Sequence, residues 1–417
     1  MTIFSQQSYL QKHRALPKQI ATHPPSDLGI VVVIPSHAEP DLISTLESLD
    51  ACAQPPCSVE ILIILNAGEH HPEEVHELND QTEAQFHAWS ANKRVYPYFL
   101  IRQDQLRRKH AGVGLARKIG FDEAVDRLEQ AGQEDGLLVG LDADSRVAPN
   151  YLQSLWQWFL TRPKEQAVSL YFEHPIGGGE FPSEIYRGIA QYELYLRHYV
   201  QGLRWAKYPL AYHCVGSSMA VRSTAYQAQN GMNRRKAGED YYFLHKYMLL
   251  DTLGEWFGTT VYPSPRPSQR VPFGTGRAIS DWLQGEQGAW QTFHRQSFEE
   301  LKQLLEKVDQ FRTQELVDDL GPAMQAYLTL QNLSAALPDI RQHSKTPESF
   351  YRRFIRWFDG LKTLQFMHFA RDNYYANQPL LEEANYLFKL VHPQVKKPHE
   401  LVPTLMAYRQ WERGQRS

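Results

Sequence analysis

The chain reads as an α/β protein: a mostly parallel, Rossmann-like sheet sandwiched by helices, with an added α-helical C-terminal domain. Three observations predict this. The runs Ile30–Ile34, Ile61–Leu65 and Leu137–Leu141 are apolar along their whole length, as strands buried on both faces are. Segments of helical period alternate with them, the pattern of a sheet covered on both sides. After about residue 285 the strand signals stop, and segments such as FEELKQLLEKVDQF and EEANYLFKLV carry the helical period alone.

Taken in order, residues 1–28 form an N-terminal extension ending in a HPPSD linker. GIVVVIPSH is a strand stopped by Pro35, and Pro40 and Asp41 open a helix with Leu42, Leu46 and Leu49 on one face. VEILIILNAG is a second strand and VYPYFLIR a third. AGVGLARKIGFDEAV is a helix entered through glycines, and GLLVGLDAD a fourth strand. Pro149 and Asn150 start a helix bearing Leu152, Leu155, Trp156 and Phe159, and QAVSLYF is a fifth strand. The domain reading is 29–285 for the α/β part and 286–417 for the helical part, in keeping with a prior of about 150 residues per domain. In the helical part Phe350, Phe354, Trp357, Phe358 and Leu361 share a face. YRRFIRWF there fits a helix with a buried aromatic face and solvated arginines better than a membrane-surface helix.

Composition narrows the function. Apolar content of 42% and charged content of 22% are those of an ordinary globular protein. A net charge of −3 gives no reason to expect a nucleic-acid partner. The three cysteines, Cys52, Cys57 and Cys214, form no CxxC pair, which argues against a disulfide framework and a structural zinc site and points to a cytoplasmic setting. The N-terminus lacks the apolar core of a signal peptide, and no stretch is apolar enough to span a membrane.

The chemistry concentrates where strands end, because ligands of such sheets bind beyond the C-terminal strand tips at the switch point of strand order. Asp142 and Asp144 lie one residue apart at such a tip, in LDADSR. They fit a helix cap or turn, a phosphatase-type nucleophile, or a divalent-metal site in which the ion cancels their repulsion. The phosphatase pattern puts Thr or Val two residues after the pair, where this chain has Arg146. In AGED, Glu239 and Asp240 fit either a charge favourable at a helix start or a catalytic pair. Arg117 fits a solvated helix face or a fixed cation at phosphate oxygens. His37 reads as a turn residue and His245 as structural. YPSPRPSQRVPFGTGRA holds Arg266, Arg270 and Arg277 in a Pro/Gly loop that serves as a connector or closes over a diphosphate. Gly177–Gly179 read as a mobile loop.

Taken together, VVVIPSHAEPDLISTLESL, VEILIILNAG, GVGLARKIGFDEA, LDADSR, CVGSSMAVR and NGMNRRKAGEDYYFLHK resemble, in order, the segments of the family 2 glycosyltransferases with their GT-A fold, over about residues 29–260. The resemblance implies a metal-dependent, inverting transferase that moves a sugar from a nucleotide-diphosphate donor to a hydroxyl acceptor. Pro35, Ser36, His37 and Glu39 would lie in the turn against the nucleotide. Asn66 stands where that family carries an acid that reads the base. Arg117 and Arg270 would approach the diphosphate. Asp142 would serve the ribose or the metal, and Asp144 the Mn²⁺ or Mg²⁺. Asp240 would be the base, with Glu239 beside the acceptor. The donor would be a UDP-sugar, the family's commonest, ahead of a GDP-sugar, and the C-terminal helices offer a surface for a homodimer. A phosphate-ester hydrolase using the same aspartates and a non-catalytic nucleotide-sugar-binding relative are the competing readings.

Overall fold

The computed structural model describes residues 6–236, 238–268, 274–285, 290–315, 319–396 and 398–414. They divide into two compact units: residues 1–175 with 214–274, and 176–213 with 275–417.

The first unit begins with α1 (Gln6–His13) and the strand β1 (Leu28–Ser36). There follow α2 (Leu42–Asp50), β2 (Ser58–Gly68), α3 (Glu73–Ser90), β3 (Tyr98–Leu106) and α4 (Val113–Gln130). After these come β4 (Leu137–Gly140), β5 (Arg146–Val147), α5 (Tyr151–Thr161) and β6 (Ala167–Phe172). The long helix α6 (Ser183–Trp205) belongs to the other unit. The first unit resumes with β7 (Met219–Arg222), α7 (Ser223–Ala228), α8 (Glu239–Leu249) and β8 (Leu253–Tyr262).

The sheet order is β3-β2-β1-β4-β7-β6-β8-β5. β1 pairs in parallel with β2 on one side and with β4 on the other, and β2 with β3. β7 is antiparallel to both its neighbours, and β5 to β8. The chain therefore walks outward from β1 and returns to its far side at β4, which makes the β1/β4 boundary the switch point. Every residue of β1 and of β4 is buried, as their unbroken apolar runs require. Pro35 does not stop β1. It occupies the strand opposite Ile64, and pairing continues to Ser36. The fourth strand is shorter than expected, ending at Gly140, so both aspartates lie in the turn beyond it. β7 and β8 were not anticipated from the sequence.

The N-terminal segment is bound rather than loose. Tyr9 Oη donates to Asp122 at 2.7 Å, and the Ala15 and Ile20 N–H groups donate to Asp122 and Glu123 at 2.8 and 2.9 Å. Arg127 Nη1 donates to the Thr22 carbonyl at 2.9 Å. These contacts roof α4, whose polar face is consequently buried.

The second unit contains α6, α9 (Thr275–Leu283), β9 (Gln291–Thr292), α10 (Arg295–Lys307), the 3₁₀ turn Val308–Arg312, α11 (Pro322–Leu330) and α12 (Leu333–Gln342). It continues through α13 (Pro347–Trp357), α14 (Gly360–Asn373), β10 (Gln378–Pro379), α15 (Leu380–Val391) and α16 (Leu401–Gly414). α6 lies within the chain span expected for the α/β part, yet its Ala190 and Leu194 share a core with Leu387, Phe388, Leu405 and Tyr408. Phe350, Phe354 and Phe358 are buried with Phe311 beside them, while Arg352, Arg353 and Arg356 face solvent. The expected common face ends at Phe358, where the helix breaks, and Leu361 on α14 is exposed.

Candidate active site

The β1/β4 switch point gathers most of the residues singled out above. The turn carrying Asp142 and Asp144 is stapled to α2: Thr45 Oγ1 donates to the Ala143 carbonyl at 2.8 Å, and the Val147 N–H donates to Ser48 Oγ at 3.2 Å. The next helix, α5, has Asn150 at its N-cap, so the aspartates do not cap it.

Arg117, on the first turns of α4, decides the arrangement. It is not on a solvated face; its side chain is 1% exposed. Nη2 donates to Asp142 Oδ1 at 2.5 Å, and Nη1 donates to Glu239 Oε1. Asp240 acts on the same guanidinium electrostatically. One cation thus holds acids from two segments about a hundred residues apart. Both terminal nitrogens are engaged by carboxylates, and Nε has no hydrogen-bond partner among the described residues. Gly216, in the CVGSS segment, lies against it: a Cβ there would come within 2.8 Å of Nη2. This close approach explains a glycine at that position.

Glu239 and Asp240 occupy the first turn of α8, where the helix dipole favours negative charge. Gly238 precedes them in the left-handed region, at φ 68°. Three carboxylates face a single guanidinium, and the excess shows in the titration of Glu239 and Asp240. Burial first, then the neighbouring charges of Asp240 and Asp142, push the Glu239 carboxyl up to about 7 against the pull of Arg117. Asp240 is raised as well, chiefly by burial. Cys214 lies close enough to Asp240 and Glu255 for their charges to add to the effect of burial in raising its thiol. Glu255 and Cys214 were not singled out as site residues in the sequence. Glu255 sits on a strand whose partly exposed pattern conceals it.

The nucleotide side is built from the tips of β1 and β2. Ser36 is fully buried, and its Oγ has no hydrogen-bond partner among the described residues. His37 Nδ1 lies 2.9 Å from the Asn66 carbonyl. Asn66 is not turned outward to read a base: its Nδ2 donates back to the Ser36 carbonyl at 2.9 Å. Around the tips, the His71 ring stands 4.7 Å from that of His37 and 4.4 Å from that of His70. Burial and these like neighbours, with Lys236, hold His71 down to about 4, so it is neutral near pH 7.

Glu39 is buried and engaged: one oxygen accepts the Asp41 N–H at 2.9 Å, and the other accepts from Arg266 Nη2. Arg266 therefore ties the start of the Pro-rich loop to the β1–α2 turn. Arg270 lies outside the described residues. Arg277 is in α9 rather than a loop, paired with Asp281 at 2.8 Å.

The donor set was tested against a divalent ion. Among the described residues no three of His, Cys, Asp and Glu are placed to ligate one ion. Two carboxylates at an open strand tip, Asp142 with its side chain 38% exposed, fit a hard cation that takes its other ligands from phosphate and water. The unmatched negative charge around Arg117 favours such a cation. Among the described residues no helix is long and apolar enough to cross a membrane.

No family model and no curated protein matches the chain. Solved structures do. A mannosyltransferase from Pyrobaculum calidifontis in complex with GDP-Man and Mn²⁺ aligns over 99% of this chain and 93% of its own, at 14% identity and TM-score 0.38. Residues 1–349 of TarS from S. aureus in complex with UDP-GlcNAc align over 93% and 92%, at 11% identity and TM-score 0.37. Glucosyl-3-phosphoglycerate synthase from Mycobacterium tuberculosis, with Mn²⁺, UDP-glucose and phosphoglyceric acid, aligns over 70% and 88%, at 14% identity and TM-score 0.34. At these scores no residue role transfers from one chain to another.

Proposed function

We propose that this protein is a metal-dependent, inverting glycosyltransferase that moves a sugar from a nucleoside-diphosphate donor to a hydroxyl acceptor. The observation that carries the proposal is the convergence of Asp142, Glu239 and Asp240 on the buried Arg117 beside the sheet's switch point. A carboxylate near the metal-binding turn and two at a raised pKa give the separated roles that such a transfer needs.

Asp240 takes the proton of the acceptor hydroxyl. The acceptor oxygen bonds to the anomeric carbon as the bond from that carbon to the diphosphate oxygen breaks, and the diphosphate leaves with the electron pair. One base and no nucleophilic carboxylate imply a single displacement, hence inversion. Glu239, pinned by Arg117, orients the acceptor. Arg117 acts as a positioning residue that fixes the spacing between the metal-side acid and the base-side acids. Asp142 and Asp144 would hold the metal, which supplies Lewis-acid stabilisation of the leaving diphosphate. The turn Ser36–Glu39 lies against the nucleotide. A UDP-sugar is the proposed donor, on the habit of the family that the motifs resemble.

A thermal-shift panel of nucleoside diphosphates and nucleotide sugars, with and without Mn²⁺, tests this reading. A donor at about 100 times its Kd should add about 2.7 kcal/mol of stability. The gain should require Mn²⁺ and vanish in Asp144→Ala. Equal gains without metal would overturn the role given to the aspartates. Phosphate release from simple phosphoesters with no acceptor would favour the hydrolase instead.

A further inference from the structure

Two basic runs of near-identical sequence lie at the rim of the site: Arg107-Arg108-Lys109 after β3, and Arg234-Arg235-Lys236 just before the acids of α8. Both lie near the N-terminus of α4: the first run precedes the helix in the chain, and the second is packed against its start. A Cβ on Gly112 would lie 3.0 Å from the Lys236 Cα, and one on Gly114 would meet both the Arg235 carbonyl and, at 3.1 Å, the Glu239 Cβ. The second run is therefore laid across the start of the helix that carries Arg117, in contact range of the acceptor-side acid. All six side chains are exposed. Arg14, Arg102, Arg222 and Arg266 are each paired with a carboxylate, and Arg94, Arg341 and Arg353 with backbone carbonyls. None of these six forms an ion pair with a carboxylate of the described residues. Arg235 instead lies over the Tyr242 ring at 3.8 Å, which fixes it on α8.

A rim of unpaired cations around an acid-rich interior has a consequence for what enters. An acceptor bearing a phosphate or carboxylate would be repelled by Asp142, Glu239 and Asp240 unless a cationic surface offset them. A neutral alcohol would need no such surface. We infer that the acceptor is an anionic one, a hydroxyl compound bearing a phosphate or carboxylate that the two basic runs hold while its hydroxyl faces Asp240. This rests on the transferase reading above. We assign the cations to the acceptor because Arg235 and Lys236 share their loop with Glu239 and Asp240. Lys236 also acts on His71 at the β2 tip, so the variants below are read on nucleotide affinity as well.

Calorimetry tests this on the full chain saturated with nucleoside diphosphate and Mn²⁺, so that the donor seat is filled. The probes are glucose, glucose 6-phosphate and glucuronate, which share a ring and differ in charge. At low salt the two anions should bind at least about tenfold more tightly than glucose, and the difference should shrink as salt screens the rim. The phosphate and carboxylate arms tell which anion is preferred. The variants Arg234→Ala/Arg235→Ala/Lys236→Ala and Arg107→Ala/Arg108→Ala/Lys109→Ala, checked for unchanged unfolding temperature, should remove the difference while leaving nucleotide affinity within about twofold. Equal binding of glucose and glucose 6-phosphate overturns the inference, as does an undiminished preference in both variants. Loss of nucleotide affinity in the variants assigns the cations to the donor and also overturns it. Failure of the wild type to bind any nucleoside diphosphate sinks the transferase reading, a result separate from the anion preference.

Discussion

Two of the buried charge clusters among the described residues are balanced differently. In the helical unit Glu193 and Glu412 meet Arg197, Arg409 and His213: Arg197 Nε donates to Glu193 at 2.8 Å, Arg409 donates to both Glu193 oxygens at 2.8 and 2.9 Å, and His213 Nε2 lies 3.0 Å from Glu412. Every acid there has a cation, and the neighbouring Arg197 and His213 draw the Glu412 carboxyl down to about 2 despite its burial. At the candidate site one guanidinium serves three carboxylates, and Glu239 moves the other way, to about 7. Burial is common to both, so the ratio of cations to acids sets the sign. The balanced cluster belongs to structure. On the proposed function, the unbalanced one would hold charge ready for a cation and a proton.

The contrast can be broken from either side. The largest effect expected is on turnover: Asp240→Asn should lower kcat by about 10²–10⁴-fold, the range for removing a general base, while donor binding measured by thermal shift stays intact. Normal turnover would remove Asp240 from the mechanism. In the balanced cluster, Arg197→Met should cost about 3–5 kcal/mol in chemical denaturation, because it leaves Glu193 and Glu412 short of a partner. Glu239→Gln should do the opposite for the fold. It removes an acid that the native state holds against its preference, and at pH 8 it should raise Tm by about 2–4 °C, the shift of roughly 1 kcal/mol in a domain of this size, while activity falls. A drop in Tm would show that Glu239 is there for stability.

The smallest effect is in the pH dependence, and its sign differs between the clusters. Glu412 has a depressed folded pKa, so its contribution is complete above its ordinary value of 4.5 and is lost as pH falls from there towards 2. Glu239 has a raised one: the native state holds its proton more tightly, so stability from this group is greatest below 4.5 and declines as pH rises to about 7. Denaturation of wild type, Glu412→Gln and Glu239→Gln across pH 3–8 separates the two slopes.

Much of this was legible in the sequence for a physical reason. Parallel strands buried on both faces leave unbroken apolar runs, so β1, β2, β4 and β6 announce themselves. β7 is four residues long, and β8 is only half-buried through its first half. α6 hid because its inward face carries Glu193, Arg197, His198 and Gln201, buried polar residues that blur the helical period: Glu193 and Arg197 pair with each other, His198 with Thr292 and Gln201 with Glu412. At the site, residue type and order disclosed the acids. The posture of Arg117 and Asn66 was not legible, since both turn inward to partners that only the fold supplies. The same holds for the basic rim, whose two runs lie more than a hundred residues apart in the chain.

Glu193 and Arg197 stand four residues apart on α6, already bonded to each other along one helical turn. Their remaining partners, Glu412 and Arg409, come some two hundred residues later. At about 5–20 residues per second the ribosome needs roughly 10–40 s to deliver them. During that interval Glu193 and Arg197 already carry each other's counter-ion along one helical turn, and α16 then completes the neutralisation of the cluster.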